Sequence, residues 1–132
     1  MQKKLMDLAL VAIVIVVYDA MASVASRALN VNYIYFAGGS ILLYLLAAFL
    51  VSWRHGFFMG VLAGFLIGFA DSTAGLAVFL WLGPEEFKDA MRVDLISIFV
   101  VVAFVTVEAG IIGLIASGAA SMIKRFAPSP AG

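Results

Sequence analysis

The stretch GFFMGVLAGFLIGFADSTAGLAVFLWL, residues 56–82, decides what kind of protein this is. Its one charged residue is Asp71. It exceeds the roughly 20 apolar residues that cross a hydrocarbon core at about 1.5 Å each. Small residues return at every fourth position, Gly56, Gly60, Gly64, Gly68 and Ser72, which is a helical period and not the alternation of a strand. Such a small-xxx-small ladder lets a second helix approach closely. Asp71 and Gly75 fall on the flank of the same face, so Asp71 is expected to point into a packed interface and not into lipid.

Working outward, three more segments have this character: 5–27, 33–53 and 94–123. Of the 132 residues 65% are hydrophobic and 12% charged, too few charges to clothe a soluble domain of this size. Lipid is therefore the solvent for most of the chain. Irregular backbone cannot face lipid, and the periods are helical, so the expected fold is an all-α bundle of four transmembrane helices forming one domain over 1–126. Residues 127–132, with Pro128 and Pro130, read as a flexible tail. The connections 28–32, 54–55 and 83–93 are short, which makes successive helices antiparallel, up and down. Gly83-Pro84-Glu85-Glu86 reads as a helix start, an interfacial turn leading into the fourth span.

Lys3, Lys4, Arg54, Lys124 and Arg125 lie on one side of this arrangement, and Arg27, Lys88 and Arg92 on the other. The richer side is cytoplasmic, which places both termini there, in the cytoplasmic membrane if the source is bacterial. Trp53 and Trp81 fall near opposite interfaces. The first span also has the parts of a signal peptide: a basic start, an apolar run from Leu8 to Val17 and the small-x-small Ala20-Met21-Ala22. Asp7 and Asp19 interrupt the segment, and it is read as a retained span.

Asp7 and the loop acids Glu85, Glu86, Asp89 and Asp94 are explained by water or headgroups. Asp19, Asp71 and Glu108 are not, because each lies near the middle of its span. Insertion scales set about 2.5–3.5 kcal/mol against an aspartate at that depth, so three acids oppose insertion by about 8–10 kcal/mol. No Lys, Arg or His lies at the same depth. Uncompensated acids of this kind are proton carriers or cation ligands; the structural alternative is a neutral acid donating a hydrogen bond to a neighbouring helix.

On the first span Asp19 shares a face with Ala12, Ala22, Ser23 and Ser26. The fragments Asp19-Ala20-Met21-Ala22-Ser23 and Asp71-Ser72-Thr73-Ala74-Gly75 share a pattern, as a parallel two-plus-two repeat would. On the fourth span Thr106, Ala109, Gly110, Gly113, Ser117 and Ala120 make the small face, with Glu108 nearly opposite beside Phe104, Ile111 and Ile115. Either this helix is packed on both sides, which implies a homo-oligomer or other membrane subunits, or Glu108 sits protonated against lipid.

Tyr18-Asp19 and Gly68-Phe69-Ala70-Asp71 resemble the paired Tyr-Asp and Gly-x-Gly-Asp motifs of presenilin-type intramembrane aspartyl proteases. The resemblance implies a catalytic pair of aspartates. It spans only these residues, Ala70 replaces the second glycine, the acids lie on spans expected to be parallel, and no third, proline-containing motif is present. The chain is accordingly read as non-enzymatic. One histidine and no cysteine argue against a zinc or haem site, and no cofactor motif or basic patch for nucleic acid is found. The expected function is an oligomeric proton- or cation-linked channel or carrier using Asp19, Asp71 and Glu108. Gly56, Gly60, Gly64, Gly68, Gly75, Gly110 and Gly113 are assigned to helix packing. The alternative is a scaffold or assembly subunit of a larger membrane complex.

Overall fold

The computed structural model describes residues 2–82 and 95–126. Among them every residue is helical except Asn30, Val31, Asn32 and Gly56. Helix α1 is Gln2–Leu29, a 3-10 turn covers Tyr33–Phe36, and α2 is Ala37–His55. Helix α3, Phe57–Ala70, passes through a π-helical turn at Asp71–Gly75 into α4, Leu76–Leu82; α5 is Leu95–Phe126. Four helical segments are long and apolar enough to cross a membrane: Gln2–Leu29, Tyr33–His55, Phe57–Leu82 and Ile96–Phe126. They overlie the four expected spans, extended by a few residues into the charged ends at Lys3 and Lys4 and at Lys124 and Arg125. The turn expected at Gly83–Glu86, the rest of that connection and the tail 127–132 lie outside the described residues.

The connections follow from single residues. Asn30 ends α1 by adopting φ +52°, a left-handed conformation that asparagine tolerates better than most side chains, and the Val31 N–H then reaches back to the Ser26 carbonyl at 3.1 Å. The Asn32 side chain accepts from the Ile34 N–H at 3.0 Å and starts the 3-10 turn. Gly56, at φ +97°, forms the whole link between α2 and α3. Its N–H donates to the Ser52 carbonyl, and its own carbonyl accepts from Met59 and Gly60.

Helix α3 packs most extensively on α5, and the small residues set how closely. A Cβ placed on Gly64 would lie 2.7 Å from the Ala109 carbonyl oxygen and 2.8 Å from Gly113 Cα. Gly60 faces Ser117, Gly64 faces Gly113, and Gly68 faces Ala109 and Val105, so the contacts run down one helix as they run up the other. Against α1 the order is parallel: Leu8 joins a cluster with Ala63, and Ile15 one with Ile67. Elsewhere the helices present Ile13, Val17, Met21, Phe58, Phe104 and Ile115 outward, the surface expected of a chain solvated by lipid.

Candidate functional site

Helix α1 buries Leu8, Ile15, Asp19, Ala22, Ser23 and Ser26 along one face. Asp19 is 1% exposed, and this face directs it at the π-helical turn, where the Asp71 carboxyl lies within hydrogen-bonding reach. The two acids are brought together over Gly75, and a Cβ on that glycine would collide with Asp19 Oδ2 and lie 3.0 Å from Asp71 Oδ1. The outer oxygens are held by tyrosines. The Tyr33 hydroxyl donates to Asp19 Oδ1 at 3.0 Å, and the Tyr44 hydroxyl donates to Asp71 Oδ2. That leaves Asp19 Oδ2 buried with no hydrogen-bond partner among the described residues while both carboxyls are ionised. One proton between the two inner oxygens satisfies it, and a buried acceptor left unsatisfied costs about 1–3 kcal/mol. Two carboxylates this close repel each other, and a shared proton or a cation would relieve that repulsion.

The π-helical turn makes the meeting possible. Its wider winding inserts a residue relative to an α-helix and so rotates everything after Ala70 against the glycine ladder. Gly75, expected on the flank of the α5-facing ladder, instead faces α1. The change of winding disturbs the carbonyl ladder, and local hydroxyls compensate: Ser72 donates to the Gly68 carbonyl at 2.7 Å and Thr73 to the Phe69 carbonyl at 2.5 Å. Nothing in the regular period of the ladder foretells this turn.

Beside the acids lies a pocket of about 590 Å³. Tyr33, Tyr44, Asp71, Gly75 and Glu108 line it, along with aliphatic side chains of α2, α4 and α5, and among the described residues no Lys, Arg or His lines it. Glu108 is exposed, as are its neighbours Phe104, Ile111 and Ile115, yet it belongs to this lining. Asp19 and Asp71 thus touch, and Glu108 stands apart at the pocket wall with no hydrogen bond or ion pair among the described residues.

The packing glycines divide into groups. Gly60, Gly64, Gly68 and Gly113 lie in the α3–α5 contact, Gly110 faces the Phe65 ring, and Gly75 belongs to the carboxyl pair. Gly56 stands outside the ladder, in the turn, where a Cβ would have nothing within 4 Å and the positive φ is what requires glycine. Sequence reasoning missed Tyr33 and Tyr44. Their separation of eleven residues, with Ser40 between, puts all three on one face of a helix, and a polar stripe in an apolar span was the available signal. Asp7, expected to be simply solvated, is also engaged: its Oδ2 lies 2.8 Å from His55 Nε2 and 3.5 Å from Arg54, tying the start of α1 to the end of α2.

Neither a protein family, nor a curated protein, nor a solved structure matches this chain.

Proposed function

We propose that this chain is a proton- or cation-linked channel or carrier, working as an oligomer, with the Asp19–Asp71 carboxyl pair as its proton group and Glu108 as a secondary one. The observation that carries the reading is the meeting of two carboxyls in an apolar interior, beside a pocket lined by no basic side chain among the described residues. One proton between the inner oxygens neutralises one acid, and its loss leaves a negative charge that a cation relieves. Tyr33 and Tyr44 hold the outer oxygens in either form, so exchange needs little rearrangement. In this reading the helices alternate up and down with both termini cytoplasmic, as the distribution of Lys and Arg favours.

Liposomes loaded with a pH-sensitive dye test it. Wild type is expected to pass protons down an imposed gradient, and Asp19→Asn and Asp71→Asn to reduce the flux to that of empty vesicles. Wild type, both variants and empty vesicles behaving alike would remove the transport reading.

The same meeting of Asp19 and Asp71 favours a second reading, an intramembrane aspartyl protease-like enzyme. There one carboxylate would take a proton from water as its oxygen adds to a peptide carbonyl, and the protonated partner would give its proton to that carbonyl oxygen. Cleavage of a single-span reporter peptide by wild type, and by neither Asp→Asn variant, would transfer the pair to hydrolysis.

A further inference from the structure

We infer that the pocket between α2, α4 and α5 binds a small lipophilic organic cation, whose charge is met by Asp71, with Asp19 behind it and Glu108 at the wall. This names the substrate class of the carboxyl pair and rests on the transport reading above. Three independent features define the ligand. The volume of about 590 Å³ lies within the 300–1,000 Å³ of pockets that enclose drug-sized molecules. The walls are mainly apolar, with Ile34, Ile41, Leu76 and Val101 among them, so the body of the ligand must be apolar. The rings of Tyr33 and Tyr44 add faces that attract a cation.

The charge follows from the acids. Among the described residues, Asp71 and Glu108 line the pocket without a basic residue, and Asp19, 1% exposed, keeps an unpartnered Oδ2 against Asp71 and Gly75, both of which are lining residues. A bare metal ion fits less well, since no three His, Cys, Asp or Glu among the described residues come together as a ligand set. An anion would be repelled by the carboxyls, and a neutral apolar molecule would match the walls but gain nothing from the acids beside them. A lipophilic cation meets both demands, and on arrival it displaces the proton from between Asp19 Oδ2 and Asp71 Oδ1. That proton leaves to solvent, so binding conserves charge.

The test uses the purified full chain in detergent under weak buffering, with tetraphenylphosphonium as the probe because its charge is fixed and it cannot exchange protons itself. Saturable binding is expected, accompanied by release of up to one proton per site as read by a pH indicator. Asp71→Asn should abolish the release and weaken binding tenfold or more. Ala37→Phe, which fills the pocket but leaves the acids in place, should also weaken binding tenfold or more, with the unaltered elution profile of a folded protein. Leu50→Ala, on an exposed face remote from the pocket, should bind as wild type does. Absence of saturable binding, equal binding of neutral triphenylphosphine oxide, or wild-type binding by both pocket variants would overturn the inference. The two proposals fail separately. Proton flux that depends on Asp71 without cation binding would overturn this inference alone, whereas binding with proton release but no flux in liposomes would overturn the transport reading alone.

Discussion

Gly75 holds the carboxyl pair together by lacking a side chain. A Cβ there meets Asp19 Oδ2, so Gly75→Ala is expected to lower stability by about 1–3 kcal/mol and to reduce proton flux. Gly118 offers the contrast, because nothing lies within 4 Å of its added Cβ, and Gly118→Ala should be neutral or stabilising by up to about 1 kcal/mol. Thermal unfolding in detergent separates them, and equal effects would mean that the carboxyls do not meet at Gly75. Asp71→Asn should fold, since its amide N–H can donate to the otherwise unpartnered Asp19 Oδ2, whereas Asp71→Lys should not accumulate as folded protein. The proposal that Asp19 and Asp71 share a proton has its own test: infrared spectra at pH 7 are expected to contain a protonated carboxyl band that is lost in Asp71→Asn. An ionised pair at that pH would point instead to a bound cation or a basic residue from a partner.

At the scale of the element, α3 and α4 form one rod with two faces set by the winding at Asp71–Gly75. Before the turn the glycines serve α5; after it Gly75 serves α1. Gly64→Leu and Gly68→Leu should therefore lower the unfolding temperature sharply and broaden the elution profile, because backbone atoms of α5 occupy the space their side chains need. Leu66→Val, on an exposed part of α3, should change little. Equal stability of the three variants would contradict the α3–α5 contact. The hydroxyl of Ser72 contributes on a smaller scale: Ser72→Ala removes its bond to the Gly68 carbonyl, a loss of about 1 kcal/mol measurable in the same unfolding experiment.

For the whole molecule, the exposed stripe of Phe104, Glu108, Ile111 and Ile115 on α5 places an acid among exposed apolar side chains. A second copy covering this stripe would shelter it, as the oligomer proposal requires. The chain has no cysteine, so a single Ile115→Cys variant gives a clean readout: oxidation in membranes should yield a crosslinked dimer. If only monomer forms, and mild detergent instead recovers a defined complex with other membrane proteins, the scaffold reading gains and the homo-oligomer is lost. The Asp7–His55–Arg54 cluster and the Lys124 bond to the Trp53 carbonyl at 3.2 Å gather charged groups of α1, α2 and α5 at one end of the molecule. Being largely a peripheral feature, it should matter less than the ladder, with Arg54→Ala costing no more than about 1 kcal/mol in unfolding measurements.

The sequence alone determined the helices, because crossing apolar solvent demands long runs in which every backbone group is bonded within its own segment, and that demand is visible residue by residue. It also singled out Asp19, Asp71 and Glu108, since a carboxyl amid Leu, Val and Phe is conspicuous without any fold. The tertiary structure alone decided which of them meet. That depends on the rotation of α4 relative to α3, which one π-helical turn alters, and a period of 3.6 carried unbroken from Gly56 to Gly75 cannot register it. It likewise decided the roles of Tyr33 and Tyr44, whose hydroxyls acquire meaning only when α1 and the π-helical turn bring carboxylate oxygens to them. Local periodicity encodes which residues share a face; which faces touch is settled by close packing between segments far apart in the chain.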